Sequence, residues 1–191
     1  ITLSTAPLSE ALAIAKTVAP AHPARQVLQD VRCSCDGSMF TIEACDLDKS
    51  VRFHIKPDTT EKALPFCVNA KKFAGLVAGT RGTSVDIEIT DSRMELTLSE
   101  GVVQLALGDV AAFPDSAPMP LTNLVKVPAD ALSAALGAAL PCCATNEAMY
   151  SLAGVCLALE NGEIAATDTH RLAIATVEVL GNAPAGTTII P

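Results

Sequence analysis

Ala166-Thr167-Asp168-Thr169-His170-Arg171-Leu172-Ala173 repeats a pattern that the chain carries once before. Ile42, Ala44, Asp46 and Lys49 stand 122 positions ahead of Ile164, Ala166, Asp168 and Arg171, so isoleucine, alanine, aspartate and a cation recur in register. A repeat of that length says that the fold is built from copies of one supersecondary unit.

The helix candidates on either side repeat as well. Leu8-Ser9-Glu10-Ala11-Leu12-Ala13-Ile14-Ala15 matches Leu132-Ser133-Ala134-Ala135-Leu136-Gly137-Ala138-Ala139 at five of eight positions. In both, apolar residues fall at i, i+3, i+4 and i+7, one face of a helix. Pro7 and Pro128 sit near the helix starts, where proline is tolerated. Ile1-Thr2-Leu3 and Val125-Lys126-Val127 read as the short strands that precede them. A fainter copy lies between the two. It has a strand at Phe66-Cys67-Val68, a helix from Ala70 to Val77, and alternating strands near 85–89, 94–98 and 103–107. The outer copies continue with strands near 27–35, 39–45 and 50–56, and near 152–159, 163–167 and 172–179. Asp36-Gly37 and Asn161-Gly162 form their turns.

The expected fold class is therefore α+β, a βαβββ module used three times near 1–58, 64–109 and 123–180. Modules one and two form a domain over 1–110. The proline-rich stretch 111–122 is read as a linker, and 123–191 as the incomplete first half of a second domain. Ile189-Ile190-Pro191 reads as the opening strand of a fourth module, so the chain is expected to be part of a longer protein.

Composition narrows the function. Net charge is −8, with 21 Asp and Glu against 13 Lys and Arg. A protein that grips nucleic acid by broad charge neutralisation is usually basic, so any DNA contact must come from local patches. The seven cysteines are odd in number and include no Cys-x-x-Cys pair, which argues for buried thiols in a reducing compartment rather than a disulfide framework. No apolar run approaches the roughly 20 residues of a membrane span. Asp168-Thr169-His170 and Cys142-Cys143 lack any accompanying nucleophile elbow. Cys33, Cys35 and His54 lack a zinc-ligand spacing. Gly79-Thr80-Arg81-Gly82 is too short for a phosphate loop. Neither an enzyme, nor a cofactor, nor a metal site is expected.

The βαβββ repeat, Phe113-Pro114, the segment from Asn146-Glu147-Ala148 to Leu152-Ala153-Gly154-Val155, and the string from Ala166 to Ala173 together resemble the bacterial DNA polymerase III beta subunit, the sliding clamp. The likeness covers essentially the whole chain and departs from the family pattern at Thr169, where glycine is usual. It implies a ring of two chains closed head to tail, with helices lining the hole and sheets outside. Such a ring encircles duplex DNA without sequence preference and tethers the polymerase. On that resemblance, DNA contacts fall to Lys71 and Lys72 and to His22 and Arg25, with Lys16 and Arg81 as further lining cations. His22 replaces the expected arginine. The same resemblance implies a pocket for a short hydrophobic peptide of polymerases and the clamp loader, walled here by Leu152, Thr167, Thr169, His170, Arg171 and Leu172. It also implies a cytoplasmic, nucleoid-associated protein. The rival reading is a clamp-fold paralogue or fragment that binds peptides without encircling DNA.

Overall fold

The computed structural model describes residues 1–191 except 21, 22, 24, 60, 91, 116–124, 147–150, 182, 184 and 191. The chain divides into two compact units, Ile1–Ala117 and Pro118–Pro191.

In the first unit the strands are β1 (Thr2–Ser4), β2 (Asp30–Asp36), β3 (Phe40–Cys45), β4 (Ser50–Ile55), β5 (Lys62–Asn69), β6 (Ser84–Ile89), β7 (Arg93–Leu98) and β8 (Gly101–Gly108). The helices are α1 (Thr5–Val18) and α2 (Ala70–Gly79). The strands make one antiparallel sheet in the order β1-β6-β7-β8-β5-β2-β3-β4. The two modules interlock through their opening strands. β1, from module one, pairs with β6 of module two, and β5, from module two, pairs with β2 of module one. The far side of β1 is tied to the segment after β4, where Asp58 N–H donates to the Thr2 carbonyl at 2.8 Å.

Alternation places Val31, Cys33 and Cys35 of β2, Val85 and Ile87 of β6, and Met94 and Leu96 of β7 on one face. α1 buries Leu8, Ala11, Leu12 and Ala15 against it, the i, i+3, i+4, i+7 set. α2 adds Ala70, Phe73, Ala74 and Val77, and the two helices pack side by side on β2 to β5. Phe40, Phe66 and Phe73 are fully buried in this core, each contributing about 1.5–3 kcal/mol by burial. Asn69 caps α2, its side-chain oxygen accepting from Lys72 N–H at 3.1 Å.

The opposite face of the sheet carries a second, smaller cluster. Cys45, Cys67 and Phe113 are buried there, with Val27 and Val110 beside them. The chain after β8 folds back over this face. Arg32 lies 5.2 Å from the centre of the Phe113 ring and donates to Asp115 at 3.0 Å. Glu43, buried, accepts from Arg32 at 2.6 Å and from Arg52. Stretch 109–115 is thus docked onto the sheet rather than free.

The second unit holds α3 (Ala129–Ala139), β9 (Val155–Ala158), β10 (Glu163–Thr167), β11 (Leu172–Thr176) and β12 (Thr188–Ile190). Its sheet runs β11-β10-β9-β12. α3 buries Ala135 and Ala139 against β10 and β11, with Ile164 at the centre. β12 pairs with β9 as β5 pairs with β2. Gly154 permits the approach, since a Cβ there would collide with the Ile190 carbonyl and meet Ile189 Cγ2 at 2.8 Å.

Three local expectations are corrected. Val125-Lys126-Val127 is not a strand, only an isolated bridge from Lys126 to Leu180. Gln26–Gln29 is a 3-10 turn that delays β2 to Asp30. Leu152 lies in a helical turn ahead of β9 rather than within a strand. In Gln26–Gln29 only Leu28 is buried, so no alternating face holds that segment extended.

Candidate functional site

Two sets of residues bear the expected binding chemistry. The first is on the α1–α2 surface. Lys16 lies in the last turn of α1 and is exposed, placed favourably at the negative end of the helix dipole. Lys71 and Lys72 occupy the exposed first turn of α2, which contains no acidic residue. Cations there oppose the dipole and cost a few tenths of a kcal/mol, an arrangement that a bound anion would reverse. Across both helices the charges are Glu10 against Lys16, Lys71 and Lys72, a local excess of two positive charges on a chain of net −8. The opposite sheet face is acidic. Asp86 and Glu88 alternate with the core residues of β6, and Glu88 stands directly across from Glu95.

The three lysines border a groove of about 1150 Å³ beside the helices, whose apolar wall is Pro20, Leu76, Val103 and Leu105. Val103 and Leu105 come from β8, which pairs with β5 only through Leu107 and Gly108. Among the described residues the remaining β8 edge is unpaired on that side, and Val102 is exposed. Sequence reading missed this wall, since the strand pattern alone says nothing about which edge is left open. Lys72 also reaches electrostatically to Asp30, whose carboxyl is pushed up by burial and drawn back down by the lysine. Arg25 is exposed at the start of the 3-10 turn and Arg81 is exposed after α2, away from the groove lining. His22 lies outside the described residues.

The second set is the turn between β10 and β11. Asp168 Oδ1 accepts from His170 N–H and Arg171 N–H, both at 3.0 Å, and Oδ2 accepts from Arg171 Nε at 2.8 Å. These bonds, the Arg171 side chain first, hold the Asp168 carboxyl down at about 2. Thr167 Oγ1 donates to the Arg171 carbonyl at 2.7 Å and accepts from Thr169 N–H at 3.2 Å. Thr169 adopts a left-handed φ of 77°. Thr167, Thr169, His170, Arg171 and Leu172 are therefore brought together in one hydrogen-bonded turn, with Leu172 62% exposed beside it. Leu152 sits apart in sequence and half-buried, its carbonyl accepting from Ala144 N–H at 2.9 Å. The turn can present an apolar side chain, a guanidinium edge and an imidazole to an extended ligand.

No protein-family model matches the chain, and no curated protein matches it by sequence. Solved structures do. The chain aligns over 99% of its length with the DNA polymerase III beta subunit of Thermotoga maritima, at TM-score 0.86 and 19% identity. The Pseudomonas aeruginosa sliding clamp bound to griselimycin aligns with all of the chain at TM-score 0.88 and 19% identity. The fold is that of the bacterial sliding clamp. The Bacillus subtilis sliding clamp gives TM-score 0.85 at 20% identity over the full chain. The chain spans about half the length of these clamps, 52% or 53% of each. At such low identity, position-by-position chemistry must come from the residues themselves.

Proposed function

We propose that the chain is the first part of a DNA sliding clamp: modules one and two form its first domain, and 123–191 supplies half of a second. The ring it builds surrounds duplex DNA, with α1, α2 and α3 toward the hole, and tethers the replicative polymerase in the bacterial cytoplasm, at the nucleoid. The observation that carries this reading is the match of all of its described architecture to beta clamps at TM-scores of 0.80 to 0.88.

The charge distribution supports it. A ring retains DNA by topology, so it needs no broad basic surface. A few cations facing phosphate keep the duplex centred, and contacts to phosphate carry no sequence information. Lys71 and Lys72, set against their own helix dipole, are the strongest of these, with Lys16 beside them, and Arg25 and His22 follow α1 in the sequence. α3 brings Asp130 and no lysine, so the lining is only mildly basic and sliding is easy.

Ring closure needs an edge to join. The open β8 edge with its apolar groove is suited to a head-to-tail, heterologous contact with a second chain. The partner-peptide site is assigned to the turn from Thr167 to Leu172 together with Leu152. Among the described residues no helix is long and apolar enough to cross a membrane and no group of His, Cys, Asp and Glu is arranged to hold a metal.

The test uses the natural gene product, nicked circular DNA, a bacterial clamp loader and ATP. A clamp stays with the circle at salt that screens phosphate contacts and is released when the circle is linearised. Binding that survives linearisation, or none at all with peptide affinity retained, would favour a clamp-fold peptide-binding module instead.

A further inference from the structure

The first half of β5 is an open sheet edge. On one side β5 pairs with β2 from Lys62 to Asn69. On the other, among the described residues, it pairs with β8 only at Cys67 and Val68. The backbone of residues 62–66 therefore has no ladder on that side. The register also shifts within this stretch. Cys33 faces Phe66 and Cys35 faces Ala63, so Leu64 and Pro65 together stand opposite Ser34 alone. Such bulges occur at sheet edges and beside binding sites, and proline within a sheet is confined to edges and bulges. Leu64 is 86% exposed, the highest value of any large apolar side chain among the described residues.

A groove of about 890 Å³ runs beside this edge. Its far wall comes from β6 and the ends of β1 and β8, with Ile87, Ile89 and Leu107 as apolar lining. Its charged lining is Glu61, Lys62, Asp86 and Glu88. Glu61 is held by the amino group of Ile1 at 2.8 Å. That leaves Asp86 and Glu88 against one cation, Lys62. Both acids are exposed on the face of β6 away from the core, since Val85 and Ile87 alternate with them and are buried. The groove thus combines unsatisfied backbone, apolar surface and an excess of negative charge.

We infer that residues 62–66 and the groove beside them dock an extended, cationic segment of a partner protein. The segment adds a strand to the β5 edge through main-chain hydrogen bonds, the mode of β-augmentation. Its lysines or arginines pair with Asp86 and Glu88, and its apolar side chains cover Leu64. Charge selects this occupant. A second copy of the chain carries net −8, and nucleic acid is a polyanion, so the acids of the groove repel both. The surface lies wholly in the first unit, apart in sequence from the turn at Thr167 to Leu172, and its use does not depend on ring closure.

The probe is a capped peptide of about eight residues, lysine alternating with valine, titrated into the natural gene product at low salt. Calorimetry gives the affinity and amide hydrogen exchange locates the contact. Saturable binding should slow exchange in residues 62–66. Combining Asp86→Asn with Glu88→Gln should weaken binding about fivefold, the loss of two exposed ion pairs. Leu64→Ser should weaken it with no change in charge. Glu10→Gln with Glu178→Gln removes the same charge at two other exposed positions and should leave affinity unchanged. The matching glutamate–valine peptide should not bind. The inference is overturned if the lysine peptide fails to bind or if protection appears elsewhere. It is equally overturned if both double variants lose affinity alike, or if the glutamate peptide binds as well. Protection of residues 62–66 in the free natural product would also overturn it, since the protein's own chain would then cover the edge.

Discussion

Leu47 and Thr169 hold the same left-handed backbone, φ 82° and 77°, at positions related by the repeat. Each follows an aspartate that organises the turn. Asp46 Oδ1 accepts from Asp48 N–H at 3.1 Å and Lys49 N–H at 2.6 Å, as Asp168 Oδ1 does from His170 and Arg171. A cation three residues on closes both turns, Lys49 at 3.7 Å and Arg171 at 2.8 Å. The β2–β3 turn solves the same problem with Gly37, φ 94°, after Asp36. An L-residue in this region costs roughly 1–2 kcal/mol, and the aspartate's accepted hydrogen bonds are what hold it there.

Replacing either residue with glycine should therefore stabilise its own unit. The gain is expected at about 0.5–1 kcal/mol, because glycine relieves the strain but gives some of it back as unfolded-chain entropy. The urea midpoint should rise with the slope unchanged. A lower midpoint for Thr169→Gly would mean that its side chain holds the turn.

The Asp168 carboxyl should titrate at about 2, held down first by the Arg171 side chain and then by the His170 and Arg171 amides. Its folded pKa lies below the ordinary 3.8, so the turn's stabilisation is complete above that value and is lost as pH falls through about 2. The amide shifts of His170 and Arg171, followed from pH 5 downward, report it directly. A midpoint near the ordinary carboxylate value would mean that the turn is open in solution.

Much of this was legible in the sequence. The repeat located the modules, and the i, i+3, i+4, i+7 pattern named Leu8, Ala11, Leu12 and Ala15 as the buried face of α1. The interlock was not legible. Nothing local tells Thr2 to pair with Asp86 rather than with its own module, because pairing across 84 residues is chosen by global packing. Glu43 was equally silent. It sits in an apolar strand, and only the folded sheet brings Arg32 and Arg52 to either side of it. In the candidate sites the reverse held. The Thr167–Leu172 set came through a resemblance, and the structure supplied the physical reason those residues stand together.

Glu43 is the buried charge on which the outer face of the first sheet depends. Its side chain is 9% exposed between Arg32 at 19% and Arg52 at 42%. Glu43→Ala leaves Arg32 partly buried without its main partner, so the first unit should lose about 2–3 kcal/mol, below the full cost of breaking a deeply buried pair. Docking of Phe113 over Arg32 should loosen with it, read as faster maleimide labelling of Cys67. An unchanged midpoint would show that Asp115 alone suffices.

Arg171→Ala should weaken binding of a short hydrophobic clamp-binding peptide to the natural gene product by about tenfold, the loss of one charge-assisted contact and its turn support. Because Asp168 loses its largest stabilising partner, its pKa should rise toward the ordinary value in the same variant. Calorimetry separates the roles. If the carboxyl pKa moves while peptide affinity stays constant, Arg171 is only a turn-former and the peptide site lies elsewhere.

Lys71→Glu combined with Lys72→Glu should leave folding intact, because both side chains are exposed and acidic groups suit the first turn of a helix. The substitutions should even raise the midpoint of the first unit slightly, by a few tenths of a kcal/mol, as they complement the dipole of α2. Retention on nicked circles after loading should nonetheless fall, most at low salt, where phosphate contacts matter, and little where salt has screened them. That opposition, a protein more stable but worse at keeping DNA, separates a functional pair from a solvated helix face. If retention and its salt dependence match the unmodified protein, the two lysines do not face the duplex, and the cations of the hole must be sought among Lys16, Arg25 and Arg81.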